Sequence, residues 1–224
     1  MSVEGKVVLI AGGSGALGQS VVPAFLAAGA RVVTGDRSPS TKHADGRLAL
    51  SVNVTDEADV RRLVDEVIRK VGRIDVLVNL VGGFAPGRAD DTEVALWQRM
   101  LTTNLTAAFL LSKAVIPQMV ERGTGRILHM AARAAAEPFP GAAAYIVSKA
   151  GLAALIRTLA LEQAGSGVTV NGILPSTIDT PANRTAMPEA DPAQWVKPES
   201  IARLLVFLSS EEAGQINGAL IPVG

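Results

Sequence analysis

Short runs of β-branched and aliphatic residues alternate along this chain with longer segments of helical period, and no other feature constrains the fold as strongly. The strand candidates are Lys6–Ala11, Arg31–Gly35, Leu48–Val52, Ile74–Asn79, Arg126–Met130, Val168–Ile173 and Ala219–Pro222. Helix candidates lie between them, near 16–28, 57–70, 93–121, 144–164 and 199–209. Strands joined through helices run parallel, and a parallel sheet needs cover on both faces. The expected fold is therefore α/β, a three-layer, doubly wound parallel sheet of about seven strands. A chain of 224 residues that is 48% hydrophobic can bury one substantial core, so a single domain over 1–224 is expected. The stretch 176–198 has four prolines and no clear period, and at that length inside a compact domain it reads as a substrate lid.

Charge and composition narrow the partners. The 21 basic and 21 acidic residues cancel without a run of like charge, which argues against a nucleic-acid or anionic-membrane surface and for a small-molecule substrate. The lack of cysteine removes disulfides, thiolate metal sites and thiol catalysis, and fits a reducing compartment. The N-terminal apolar run is too short for a signal peptide, and no stretch is expected to approach the ~20 apolar residues of a spanning helix. A cytoplasmic protein is expected.

The first strand runs into Gly12-Gly13-Ser14-Gly15-Ala16-Leu17-Gly18, where Gly13, Gly15 and Gly18 satisfy G-x-G-x-x-G between a strand and a helix. Bare backbone N–H groups and a helix N-terminus there can receive a pyrophosphate, which makes the fold Rossmann-like. Asp36 ends the second strand, where a carboxylate can accept both ribose hydroxyls of an adenosine; a solvated loop aspartate is the alternative. No Lys-Ser/Thr follows the glycines, which disfavours a P-loop. A methyltransferase would also carry an acidic residue after its second strand, so these features alone do not decide. Tyr145 and Lys149 stand four apart on a predicted helix and share a face. An ammonium beside the phenol is expected to lower the tyrosine's pKa and make it a general acid/base. A surface Tyr/Lys pair is the bland reading of the same two residues.

Taken together, these motifs resemble the short-chain dehydrogenase/reductase family over nearly the whole chain. The family's T-G-x-x-x-G-x-G falls on Ala11, Gly12, Ala16 and Gly18, its D-V on Asn53-Val54, and its N-N-A-G on Asn79-Leu80-Val81-Gly82. Asn104 follows in the helix after the fourth strand, then Tyr145 and Lys149, Asn171, and a P-G-x-I/V-x-T pattern at Pro175-Ser176-Thr177-Ile178-Asp179-Thr180. The resemblance implies that Tyr145 transfers the proton, Lys149 holds the nicotinamide ribose, and Asn104 holds a water in the proton path. It also implies that Ile178 and Thr180 anchor the carboxamide. By this likeness Asp36 favours NAD, and Arg37 beside it leaves room for NADP.

Departures from the pattern are as informative. Ala11 and Ala16 replace a threonine and a glycine, Leu80 replaces an asparagine, and Ala132 stands where the family's catalytic serine belongs, thirteen residues before the tyrosine. Residues 132–144 contain no hydroxyl side chain at all. Quinonoid dihydropteridine reductases, a branch of the family, are similar in GGSGALG at 12–18, VGG at 81–83, Ala132-Arg133 and LPSTIDTPANRTAMPEAD at 174–191, continuing to Trp195. The stretch LTTNLTAAFLLSKA around Asn104 is similar to the general family instead. Arg133 either replaces the missing hydroxyl or is a solvated charge at a strand end. Phe84, Phe139, Met187 and Trp195 either form an apolar slot for a flat ring or pack in the core. His43 and His129 are too isolated from carboxylates to suggest a metal, and surface or packing roles are expected.

The reading is an NAD(P)H-dependent oxidoreductase that moves a hydride between nicotinamide and a small organic substrate, an electron-poor acceptor such as a quinonoid dihydropteridine. The alternatives are a 3-oxoacyl-reductase-like enzyme of ordinary ketones and alcohols, and an NADH-binding module weakened in catalysis. Segments 101–120 and 144–164 are apolar or small nearly all round, which implies cover from a partner and hence a homodimer or homotetramer.

Overall fold

The computed structural model describes residues 2–38 and 47–224. His43 lies outside the described residues. Seven strands, β1 (Val7–Ala11), β2 (Arg31–Asp36), β3 (Leu48–Ser51), β4 (Val76–Asn79), β5 (Gly125–Met130), β6 (Val168–Pro175) and β7 (Leu220–Val223), form one sheet. Its order is β3-β2-β1-β4-β5-β6-β7, and every pairing is parallel. The chain builds outward from β1 in one direction, then crosses back to place β4 on its other side. That reversal opens a crevice beyond the carboxyl ends of β1 and β4, the place where doubly wound sheets bind ligands.

Strand period explains the layers. In β1, Val7, Leu9 and Ala11 face one core while Val8 and Ile10 face the other. The first core is closed by α2 (Glu57–Val71), α4 (Ala107–Glu121) and α5 (Ala143–Glu162). The second is closed by α1 (Gly18–Ala27) and α7 (Pro198–Ser209). Local signals set the helix ends. The Asp56 carboxylate accepts from Asp59 N–H at the start of α2, and Gly72, at φ 95°, ends it. The glycine-rich segment stays a turn through Leu17, so α1 begins two residues later than the apolar period predicts.

Three departures from the sequence expectations bear on function. The predicted helix 93–121 is α3 (Val94–Leu101) and α4 joined by a π turn, Thr102–Thr106. The proline-rich 176–198 is not structureless: it contains α6 (Pro181–Ala186), capped by Thr180, and a 3₁₀ turn at Pro192–Gln194. Its base is closed by a bridge between Ile178 and Val196. Finally, two helical stretches are long and apolar enough to cross a membrane, Val94–Glu121 at mean hydropathy 1.2 and Ala143–Glu162 at 1.4. Both lay one face on the sheet, burying Leu111, Val115, Leu152 and Ile156.

Candidate active site

The crevice floor is the turn after β1. Gly12 takes φ 84°, a left-handed conformation that favours glycine. A side chain at Gly18 would begin 2.2 Å from the Gly13 carbonyl oxygen, so α1 can approach the turn only with a bare Cα there. Ser14, Gly15 and Ala16 are exposed, which leaves that backbone open to a ligand. At the end of β2 the Asp36 carboxylate is buried, and Ser14 donates to its Oδ1 twice, from N–H at 3.0 Å and from Oγ at 2.7 Å. Arg37 is exposed beside it. Beyond β3, Asn53 is held in its turn by Asp59, whose Oδ2 accepts the Asn53 N–H, while Val54 is buried in the core.

The other wall is the turn after β4. The Asn79 Oδ1 accepts from Val81 N–H at 3.0 Å and curls the chain outward. Gly82 is exposed, and a side chain there would begin 3.0 Å from Asn104 Oδ1 and 3.1 Å from Lys149 Nζ. The bare backbone at Gly82 therefore keeps Lys149 reachable from the crevice. A nicotinamide dinucleotide fits these residues: a glycine floor without side chains, a buried carboxylate at the second strand's end, and a lysine at an open turn.

Tyr145 and Lys149 sit on successive turns of α5, as their spacing predicts. Lys149 is buried and donates to the Met130 carbonyl at 2.7 Å; burial pulls its pKa down to about 8. The Tyr145 phenol is moved up from its ordinary value by burial, opposite to the expectation from a neighbouring ammonium alone. The physical reason is that partial desolvation penalises phenolate while the Lys149 ammonium is directed at the β5 carbonyl. Phe84 stands edge-on to the Tyr145 ring, with centroids 5.0 Å apart, on a loop tied to the start of α5 through Gly87.

Asn104 lies in the π turn and is fully buried. It accepts from Gly83 N–H at 2.9 Å and donates to Gly83 O at 3.0 Å and to Ser148 Oγ at 2.9 Å. Both amide hydrogens are thus committed, so a relay water would have to be held through an oxygen of this turn. Ser148 was not singled out by the sequence, and Gly83 only as part of VGG at 81–83. Ser148 is adjacent to Lys149 and donates its own hydrogen to the Tyr145 carbonyl at 2.6 Å, so the candidate residues Asn104, Tyr145 and Lys149 are locked into one unit.

The residues proposed to border a substrate divide. Phe84, Phe139 and Met187 are exposed, at 60%, 47% and 38%, so core packing does not account for them. Trp195 is half-buried near the base of 176–198. Ala132 is buried at the end of β5. Arg133 starts a 3₁₀ turn and donates Nε–H to Glu137 Oε2 at 3.1 Å and Nη1–H to the Gly224 carbonyl. These two acceptors take two of its five N–H donors. Pro175 ends β6; Ile178 O accepts from Asn183 Nδ2, and Thr180 Oγ1 accepts from Asn183 N–H. Asn171 bonds residues 216 and 219 and braces β7 instead of facing the crevice. His129 is completely buried between Asn79 and Ser112. Among the described residues no group of acidic or histidine side chains is arranged to hold a metal.

A crevice at the sheet's reversal point, floored by glycines and flanked by a helix-borne tyrosine and lysine, belongs to the nucleotide-dependent α/β oxidoreductases. A family model described as short chain dehydrogenase matches residues 6–191. The chain is 31% identical to 3-oxoacyl-[acyl-carrier-protein] reductase FabG of Thermotoga maritima, across 100% of this chain and 98% of that protein. It is 32% identical to D-threitol dehydrogenase of Mycolicibacterium smegmatis, across 97% of this chain and 90% of that one. The ligand-free aldohexose dehydrogenase of Thermoplasma acidophilum superposes with a TM-score of 0.90 at 27% identity, covering 98% and 92% of the two chains. The chain belongs to the short-chain dehydrogenase/reductase family, and it is an NAD(P)-dependent oxidoreductase.

Proposed function

We propose that this protein is an NADH-dependent reductase of a small, flat, electron-poor acceptor such as a quinonoid dihydropteridine. The observation that carries the reading is Ala132, a buried methyl where the family pattern has a hydroxyl, beside an Arg133 whose side chain turns to Glu137 and Gly224. Loss of one oxyanion donor costs about 2.7–4 kcal/mol of transition-state stabilisation, a severe handicap for an ordinary ketone. A conjugated, electron-poor ring accepts hydride with less polarisation, so one donor suffices. Phe84, Phe139 and Met187, exposed on loops after three adjacent strands, supply an apolar rim for such a ring.

The cofactor supplies the hydride. In this reading Asp36, braced by Ser14, offers its second oxygen to the adenosine ribose and disfavours a 2′-phosphate, with Asn53 and Val54 beside the adenine. The N–H groups of Gly12 to Gly18 receive the pyrophosphate. Lys149, reached past Asn79, Val81 and Gly82, holds the nicotinamide ribose, while Ile178 and Thr180, beyond Pro175, hold the carboxamide. Tyr145 donates its phenolic proton to the reduced acceptor and is reprotonated through Lys149 and the Asn104 turn. The segment 176–198 serves as the substrate lid. The outer faces of α4 and α5, with Phe109, Val120, Val147 and Leu161 exposed, join copies into a homodimer or homotetramer. The absence of cysteine is consistent with work in the cytoplasm.

A second reading is favoured by the full-length relatives named as 3-oxoacyl reductase and D-threitol dehydrogenase: an enzyme of ordinary ketones and alcohols. Comparing kcat/KM of wild type, Ala132→Ser and Arg133→Ala on a quinonoid dihydropteridine and a diketone separates the two. The electron-poor acceptor predicts that Ala132→Ser stays within a few-fold on the pterin and gains on the diketone. A loss of ~100-fold or more in Arg133→Ala with both substrates, the scale of one oxyanion donor, would overturn it.

A further inference from the structure

His129 sits at the centre of the sheet without touching the crevice, and its ring joins two elements that the reaction needs in register. On one side Nε2 lies 2.9 Å from Ser112 Oγ on α4; on the other Nδ1 lies 3.3 Å from Asn79 Nδ2 at the end of β4. The direction of this chain is fixed from both ends. Ser112 Oγ spends its only hydrogen on the Ala108 carbonyl at 2.8 Å, so toward the ring it can only accept, and Nε2 must carry the hydrogen. At the far end Val81 N–H can only donate, and it takes Asn79 Oδ1; Asn79 Nδ2 therefore donates to a bare Nδ1. A proton on Nδ1 would set two donors against each other. Burial and the Lys149 charge on α5 both oppose that proton, holding the imidazole pKa down at about 3. On the β6 side the register neighbour is Gly172, which adds no polar group.

We propose that His129 is a positioning residue: as the neutral Nε2–H tautomer it fixes the Asn79–Gly83 turn against α4, and so sets the platform for the nicotinamide half of the cofactor. The proposal rests on the reading above that this turn receives the nicotinamide ribose. The turn has little slack, because at Gly82 even a Cβ would stand 3.0 Å from Asn104 Oδ1 and 3.1 Å from Lys149 Nζ. The residue after His129 supplies the carbonyl that holds Lys149. A shift of the ring is therefore felt at the turn through Asn79 and at the lysine through Met130.

Two substitutions split the ring's two bonds. His129→Asn places an amide oxygen near the Nδ1 position and cannot reach Ser112; His129→Gln can reach Ser112 and lacks the acceptor for Asn79. NADH dissociation constants by fluorescence titration, with melting temperatures alongside, give the answer. The expected result is NADH affinity within about three-fold of wild type in His129→Asn and weakened at least about ten-fold in His129→Gln, at similar losses of melting temperature. Affinity that is unchanged in both, or that follows melting temperature in both, overturns the proposal. Should these variants fold poorly, Ser112→Ala serves, because it gives up the same ring bond as His129→Asn and keeps Asn79 on Nδ1: NADH affinity within about three-fold of wild type with Nδ1 of His129 still bare supports the proposal, and a hydrogen moved to Nδ1 or affinity weakened about ten-fold or more overturns it. The ¹⁵N resonances of His129 in the wild-type protein report the tautomer independently of any substitution. A protonated Nδ1 sinks the inference even if NADH binds as expected. If wild type does not bind NADH, the reading of the site fails on that result, and the tautomer alone then decides for or against His129.

Discussion

Lys149 carries a charge where charge is costly. Its pKa falls from 10.5 to about 8 because burial disfavours the ammonium. Between those values the unfolded chain binds more protons than the folded one, so stability rises with pH across that window and the penalty is fully present below about 8. A displacement of this size corresponds to on the order of 3 kcal/mol. Lys149→Met should therefore raise the melting temperature at neutral pH and flatten the pH dependence of stability above 8, while turnover is lost. A variant that melts lower than wild type would show that the bond to Met130 outweighs desolvation. Asp36 is a buried carboxylate whose Oδ1 accepts twice from Ser14. Wild type should prefer NADH to NADPH, and Asp36→Ser should weaken NADH while easing NADPH, because the 2′-phosphate no longer meets like charge. Equal kcat/KM for the two cofactors in wild type would contradict that assignment.

At the scale of elements, the π turn between α3 and α4 holds Asn104 against Gly83 and Ser148. Substituting Asn104 by alanine deletes two bonds to Gly83 and one to Ser148, and leaves the Gly83 N–H and carbonyl without these partners. Asn104→Ala is expected to lower kcat at least ~10-fold and also the melting temperature, because the proposed proton relay and the hydrogen bonds to Gly83 both lose this side chain. Full activity at reduced stability would limit Asn104 to a structural part. This turn also marks where the sequence stops being legible. Apolar period found the strands and most helices, since each face of the sheet imposes its own repeat on β1 and α2. An extra residue turns an apolar stripe by about 100°, but 101–120 is apolar or small nearly all round and shows no stripe to be turned; the bonds that stabilise the π turn come from positions 83 and 148, remote in the chain. Helix α6 was readable in principle, from Thr180 as cap and Pro181 at its first turn, but the surrounding prolines masked it. The placement of Tyr145, Lys149 and Asp36 was legible because spacing puts the first two on one helix face and the third at a strand end. The direction in which Lys149 points was not, because it follows from the Met130 carbonyl across the sheet.

For the whole molecule, the helices α4 and α5 leave apolar faces outward after their inner faces are satisfied; Leu161 is 78% exposed and Val147 44%. A dimer or tetramer is expected by light scattering at micromolar concentration, and a monomeric mass would refute the pairing of these faces. The order of the sheet sets the turns after β1, β2 and β4 side by side, with the segments after β5 and β6 to one side of them. The bridge between Ile178 and Val196 sharpens that division. Asp179 N–H donates to Val196 O at 2.9 Å and Val196 N–H to Thr177 O at 2.8 Å, so the two ends of the intervening loop are joined by the scaffold itself. The entropic penalty of closing the loop is met at its base, and lengthening what lies between adds little to it. Residues 179–195 thus hang from a base that the scaffold itself closes, so changes of length or sequence between those ends leave the turns after β1, β2 and β4 where they are.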